Sequence, residues 1–121
     1  MDIPDQLRAY FADSTITLQA YSAQDRQLCI RIEKEIGPET GIVTFRAVSF
    51  ISIPDCFPGD AIKATPVADL SDEFWSRYSA YPDLFEPDEI AFQIYDQEGP
   101  VHVVVAKTIS YEVESDGGVA E

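Results

Sequence analysis

Hydrophobic positions recur along this chain with two different periods, and the changes of period mark its elements. Near the start, Ile3, Leu7, Tyr10 and Phe11 fall at i, i+4, i+7 and i+8, the spacing of one helical face. Pro4 suits the first turn of such a helix, where its missing N–H loses no hydrogen bond. Asp13-Ser14 ends the pattern, and period two takes over. Ile16, Leu18 and Ala20 alternate with Thr15, Thr17 and Gln19; after the polar run Ser22 to Gln27, Leu28, Ile30 and Ile32 alternate with Cys29, Arg31 and Glu33. Two alternating runs around a polar turn predict a hairpin with one buried face.

Ile36-Gly37-Pro38-Glu39-Thr40-Gly41 reads as a second turn, and the longest strand pattern follows it, from Ile42 to Ile53. Its odd positions Val43, Phe45, Ala47, Ile51 and Ile53 form one apolar face. Its even positions begin polar at Thr44 and Arg46 and turn apolar at Val48 and Phe50, which predicts a helix packed over the second half. Pro54-Asp55-Cys56-Phe57-Pro58-Gly59-Asp60 reads as an irregular loop, with a weak strand over 61–65. Asp69 or Ser71 can cap a short second helix, with Leu70, Phe74 and Tyr78 on its apolar face and Trp75 beside them. Tyr81 to Pro87 is irregular again. Ile90, Phe92 and Ile94 alternate, Gln97-Glu98-Gly99-Pro100 reads as a hairpin turn, and Val101, Val103, Val105, Ile109, Tyr111 and Val113 keep one parity, with Lys107 as the single break, read as a bulge or bend.

These elements predict an α+β domain, mainly antiparallel β, with about six strands in a sandwich or bent sheet and two short helices. One globular domain is expected over 1–114, followed by a flexible tail over 115–121. Surface scaling puts the folded area at about 6,500 Å², enough burial for one core without staples. Cys29 and Cys56 are therefore expected as free thiols. No apolar run nears the roughly 20 residues of a membrane span. Met1-Asp2-Ile3-Pro4-Asp5 has neither the basic nor the apolar region of a secretory signal, which makes the cytoplasm the expected compartment.

Charge changes the picture more than composition does. The 121 residues hold 22 acids and 8 bases, a formal charge of −14. That excludes ordinary binding to a phosphate backbone, which needs clustered Lys and Arg. The imbalance is uneven: residues 1–80 carry 12 acids and 7 bases, whereas residues 81–121 carry 10 acids and 1 base. Between Asp69 and Glu98, nine acids face Arg77 alone and are interleaved with Phe74, Trp75, Tyr78, Tyr81, Phe85, Phe92 and Tyr95.

Catalytic and metal signatures are weak. His102 is the one histidine, and its parity, opposite the main valine face, reads as a half-exposed surface position. A nucleophilic site would need it beside Cys56 and an acid such as Asp60, and no local signature supports that. No zinc spacing, phosphate loop or EF-hand pattern occurs; calcium on Asp83, Glu86, Asp88 and Glu89 competes with a plain solvated loop. With this many acids, a pair suited to glycoside hydrolysis carries no information. No cofactor is expected, and no enzyme activity.

Acids beside aromatics fit a protein-binding surface: aromatics supply contact area and carboxylates steer a basic partner. The residues assigned to it are Trp75, Tyr78, Tyr81, Asp83, Phe85, Glu86, Asp88 and Glu89. The competing expectation is that the aromatics pack inward and the acids keep the chain dissolved. The expected function is thus a non-catalytic acidic domain that binds a basic protein, in its most concrete form a bacterial immunity protein or antitoxin covering a basic toxin or nuclease. The alternative is a structural or assembly subunit acting by self-association, such as a homodimer; a small-molecule-binding domain or enzyme ranks third.

Overall fold

The first amphipathic stretch forms a helix, α1 (Asp5–Phe11), whose Leu7 and Phe11 lie one turn apart and are both buried. The computed structural model describes residues 5–34, 39–78, 83, 85–99 and 101–115. At the end of α1, Lys34 Nζ donates to the carbonyls of Ala9, at 2.7 Å, and Ala12. This places a cation on carbonyls that have no partner within the helix, at the negative end of its dipole. Asp13, at φ 50°, then turns the chain out of the helix.

Eight strands follow among the described residues: β1 (Ser14–Ser22), β2 (Gln27–Lys34), β3 (Glu39–Arg46), β4 (Phe50–Ser52), β5 (Cys56–Pro66), β6 (Ile90–Asp96), β7 (Val101–Ala106) and β8 (Thr108–Ser115). A short helix, α2 (Asp72–Ser76), and a preceding 3-10 turn, Val67–Asp69, interrupt them. All pairings are antiparallel, in one open sheet of order β4-β7-β6-β5-β1-β2-β3-β8. The expectation of a mainly antiparallel domain with two short helices stands, but the strands number eight in one sheet, not about six. The difference comes from the runs 42–53 and 101–113, each of which breaks into two strands; part of the presumed loop 54–60 is also strand, but it only lengthens the expected strand over 61–65 into β5.

The sheet is strongly curled. β3 and β6 stand four places apart in the order, which would separate them by about 19 Å if flat. Yet the rings of Phe45 on β3 and Phe92 on β6 lie 5.3 Å apart. The concave face holds the main core: Ile16, Leu28, Ile30, Ile32, Val43, Phe45, Phe57, Ile62, Phe92, Ile94 and Val104, with Leu7 and Phe11 of α1 in the same cluster.

Each corner of the curl changes which side chains face inward. Between β3 and β4, Ala47 adopts φ 57°, and the inward series runs Val43, Phe45, Val48, Ile51. Two steps of three, from Phe45 to Val48 and from Val48 to Ile51, put Val48 inside in place of Ala47, which was expected on the inner face. Between β7 and β8 the inward series is Val104, Ala106, Ile109, Tyr111, with a single step of three, at Lys107. The uniform face expected from Val101 to Val113 is therefore split. Val103 and Val105 point to the opposite side from Ile109 and Tyr111. The two corners are tied to each other, since the Lys107 N–H donates to the Arg46 carbonyl (3.0 Å) and the Ser49 N–H to the Val105 carbonyl (2.9 Å).

β5 is where the loop expectation fails. β1 pairs with its residues 56–59 and β6 with its residues 59–66. Pro58 thus sits in a stretch paired on one side, a setting that tolerates a missing N–H. Gly59 is the crossover. A Cβ there would lie 2.4 Å from Ile16 Cδ1 and 2.9 Å from Ser14 Oγ, so glycine is required by close approach. Among smaller differences, β1 shifts register between Leu18 and Ala20, which leaves Ala20 exposed. The expected turn at 36–41 falls partly, and the tail at 115–121 almost wholly, outside the described residues. Among the described residues no helix is long and apolar enough to cross a membrane.

Candidate functional site

The convex side of β4, β6 and β7 carries a second, smaller core. Val67, Trp75, Ala91, Val103 and Val105 are buried in it, with Phe50, Leu70, Phe74, Tyr78 and Phe85 packed around them. This is the cover anticipated over the second half of the 42–53 run. Ser71 makes it possible: its hydroxyl accepts from the Phe74 N–H at 3.1 Å, which caps α2, with Asp72 and Glu73 in the first turn. The five-residue α2 then lays Trp75 edge-on to Phe50 at 6.4 Å and against Phe85 at 4.9 Å.

The residues assigned to a binding face from sequence divide into two groups here. Trp75 is 0% exposed and is the largest side chain of the small core, so no partner touches it directly. Its Nε1–H has no hydrogen-bond partner among the described residues. Glu89 is 3% exposed and ties its loop to the β3–β4 corner: it accepts from the Ser49 hydroxyl through Oε2 and from the Glu86 N–H through Oε1 (2.9 Å). As contact residues both are corrected to interior ones, because each is enclosed by the packing or hydrogen bonds of its own neighbourhood.

Tyr78 and Phe85 are half-buried. The Tyr78 hydroxyl donates to the Val101 carbonyl at 2.8 Å, and burial pushes its pKa above the ordinary tyrosine value. Asp83, Glu86 and Asp88 are exposed; Tyr81 lies outside the described residues. Lys107 gathers two of these acids, with Nζ 2.7 Å from Glu86 Oε2 and 3.5 Å from Asp88 Oδ2. The hydrogen bond to Glu86 holds the Lys107 pKa above its usual value. Of the acids considered for calcium, Glu86 and Asp88 serve Lys107, Glu89 is internal and Asp83 is exposed. Among the described residues no group of three His, Cys, Asp or Glu side chains is placed to hold a metal ion.

His102 differs most from its expected setting. It shares the inward parity of Val104 and Ala106, and its side chain is 15% exposed. Its ring lies 4.4 Å from that of Phe57, and its Nε2 is 3.1 Å from Asp96 Oδ2. Asp96 is the pivot of the β6–β7 turn. Its Oδ1 accepts from the Glu98 N–H at 2.8 Å and its carbonyl from the Gly99 N–H at 3.0 Å. The Glu98 N–H above all, then His102, holds the Asp96 carboxyl below the usual range.

The trio His102, Cys56 and Asp60 is not assembled around the ring. Asp96, not Asp60, is the acid on His102, and exposed Cys56 sits with its sulfur 3.8 Å from the Thr17 hydroxyl. Both cysteines are free thiols.

Lys107, Ser49 and Asp96 are the residues that sequence reading passed over in these roles. A signal existed for one of them. Lys107 is the sole base after residue 80, in a segment crowded with acids, and it breaks a strand pattern. Comparison with protein-family models, with curated proteins and with solved structures gives no match for this chain.

Proposed function

We propose that this chain is a non-catalytic acidic domain that binds a basic protein. The observation that carries the reading is the sorting of side chains around α2. The aromatics of the small core turn inward, while Asp69, Asp72, Glu73, Asp83, Glu86 and Asp88 stand exposed on its outside. Among the described residues from 69 to 107, the bases are Arg77 and Lys107, the latter already engaged. Recognition on such a surface is electrostatic in its approach, with Tyr78 and Phe85 as the accessible aromatic edges. The finer form of the proposal is an immunity protein or antitoxin that covers a basic toxin such as a nuclease.

The test is capture from the native host at low and high salt, followed by kinetics with the basic protein recovered. Reversal of Asp69, Asp72 and Glu73 to Lys should slow association about tenfold or more, while the loss of two acids from the first turn of α2 lowers stability by no more than about 1–2 kcal/mol and leaves the fold intact by circular dichroism. An unchanged association rate, or a partner whose binding ignores salt, would sink the reading. These three acids make a cleaner probe than Glu86 and Asp88, whose reversal also strips Lys107 of its partners.

One feature favours a second reading, self-association of a structural subunit. β8 ends the sheet order and pairs with β3 alone among the described strands, so an edge is open to another copy. Glu112, exposed on that strand, works against such pairing. A solution mass that rises with concentration would favour this reading over the first.

A further inference from the structure

Away from the acidic platform, α1 packs against β5. In that seam is an open pocket of about 390 Å³ lined by Arg8, Ala61, Ile62 and Lys63. Its two cations are unusual within this molecule. Arg26 donates to the Val48 carbonyl, Arg31 pairs with Glu33, Lys34 serves the end of α1, Arg46 bonds Ser110 and Lys107 holds Glu86. Among the described residues Arg8, Lys63 and Arg77 have no side-chain hydrogen bond or ion pair, and two of those three line this pocket.

We infer that the pocket binds a small organic carboxylate with a short apolar body. In a chain of net charge −14, an anion is repelled from most of the surface, and a pair of uncommitted cations is the place where it gains. The Arg8 guanidinium offers a planar fork matched to a carboxylate, and Lys63 adds a second positive charge from the facing strand. Ala61 and Ile62 supply apolar wall for the rest of the ligand. The volume falls at the small end of the range for small-molecule sites. This site is independent of the acidic platform, on which none of its residues lies.

The experiment is an NMR titration of the full chain with hexanoate, and with inorganic phosphate and hexanol as separate probes. Hexanoate should move the amides of Arg8 and residues 61–63 along saturable curves, with the two other probes weaker at equal concentration. Arg8→Gln and Lys63→Gln, both at exposed positions, should each lower hexanoate affinity about tenfold or more, the scale of one lost charge-assisted hydrogen bond. Circular dichroism of both variants separates lost binding from lost folding. Shifts that never saturate, that spread over the surface, or that persist unchanged in both variants would overturn the site. Phosphate binding as tightly as hexanoate would overturn the organic ligand.

Discussion

At the scale of single residues, Trp75 and Asp96 show two ways in which a buried polar group is handled. The Trp75 ring contributes area and edge-to-face contacts, while its Nε1–H is left without a partner among the described residues. An unsatisfied buried donor opposes folding by about 1–3 kcal/mol. Trp75→Phe removes that donor and keeps most of the ring, so it should change stability by no more than about 1 kcal/mol. Trp75→Ala should lose about 3–5 kcal/mol in urea unfolding. Equal losses in both variants would show that the N–H, not the ring, is what counts. Asp96 is the satisfied case, and its consequence is a pH dependence. A carboxylate held below its ordinary value supports folding above that value, about 3.9, and withdraws the support as pH falls through its native pKa. Asp96→Asn should therefore be less stable than the parent near neutral pH, with the gap closing below about pH 4. A gap that stays constant with pH would remove the carboxylate from the account.

At the scale of elements, β5 shows how tertiary context overrides local signals. Pro58, Gly59 and Asp60 are loop-forming residues, yet they lie in the middle of an eleven-residue strand. The strand survives because its neighbours change there, with β1 ending and β6 beginning at Gly59. Gly59→Ala should destabilise the domain by about 1–3 kcal/mol, because its methyl meets Ile16 inside a packed core. A neutral result in thermal unfolding would mean that β1 can slide away from β5.

The same element shows what sequence could and could not reveal. β1, β2 and β3 were legible because one face of each is the more buried and its apolar residues alternate with polar ones; β6 was legible from the spacing of Ile90, Phe92 and Ile94, although both of its faces are covered. β5 was not, since breakers in its own sequence are overruled by partners distant in the chain. The β7 valines were legible as strand but not as to side. Both faces of β7 are covered, one by the main core and one by α2, and parity alone does not say which is which. His102 was placed outward for that reason. The candidate platform was legible in composition, as acids among aromatics, but exposure is a tertiary property, and it moved Trp75 and Glu89 inside.

At the scale of the whole molecule, the curl has a consequence in time. The β1–β2 and β6–β7 hairpins join neighbours in the chain, whereas β3 pairs with β8 across residues 47–107, half of the chain. Contacts of low sequence separation close at little entropic expense, and distant ones wait until much of the chain is already ordered. Leu28→Ala, within the β1–β2–β3 meander, should therefore slow refolding, whereas Ile109→Ala on β8 should act mainly by speeding unfolding. Stopped-flow chevrons would distinguish the two, and slowed refolding from Ile109→Ala would reverse the order. The seam that zips last is also the first to part, so transient opening of this domain begins at β8, while the amino-terminal hairpin keeps its amide hydrogens longest.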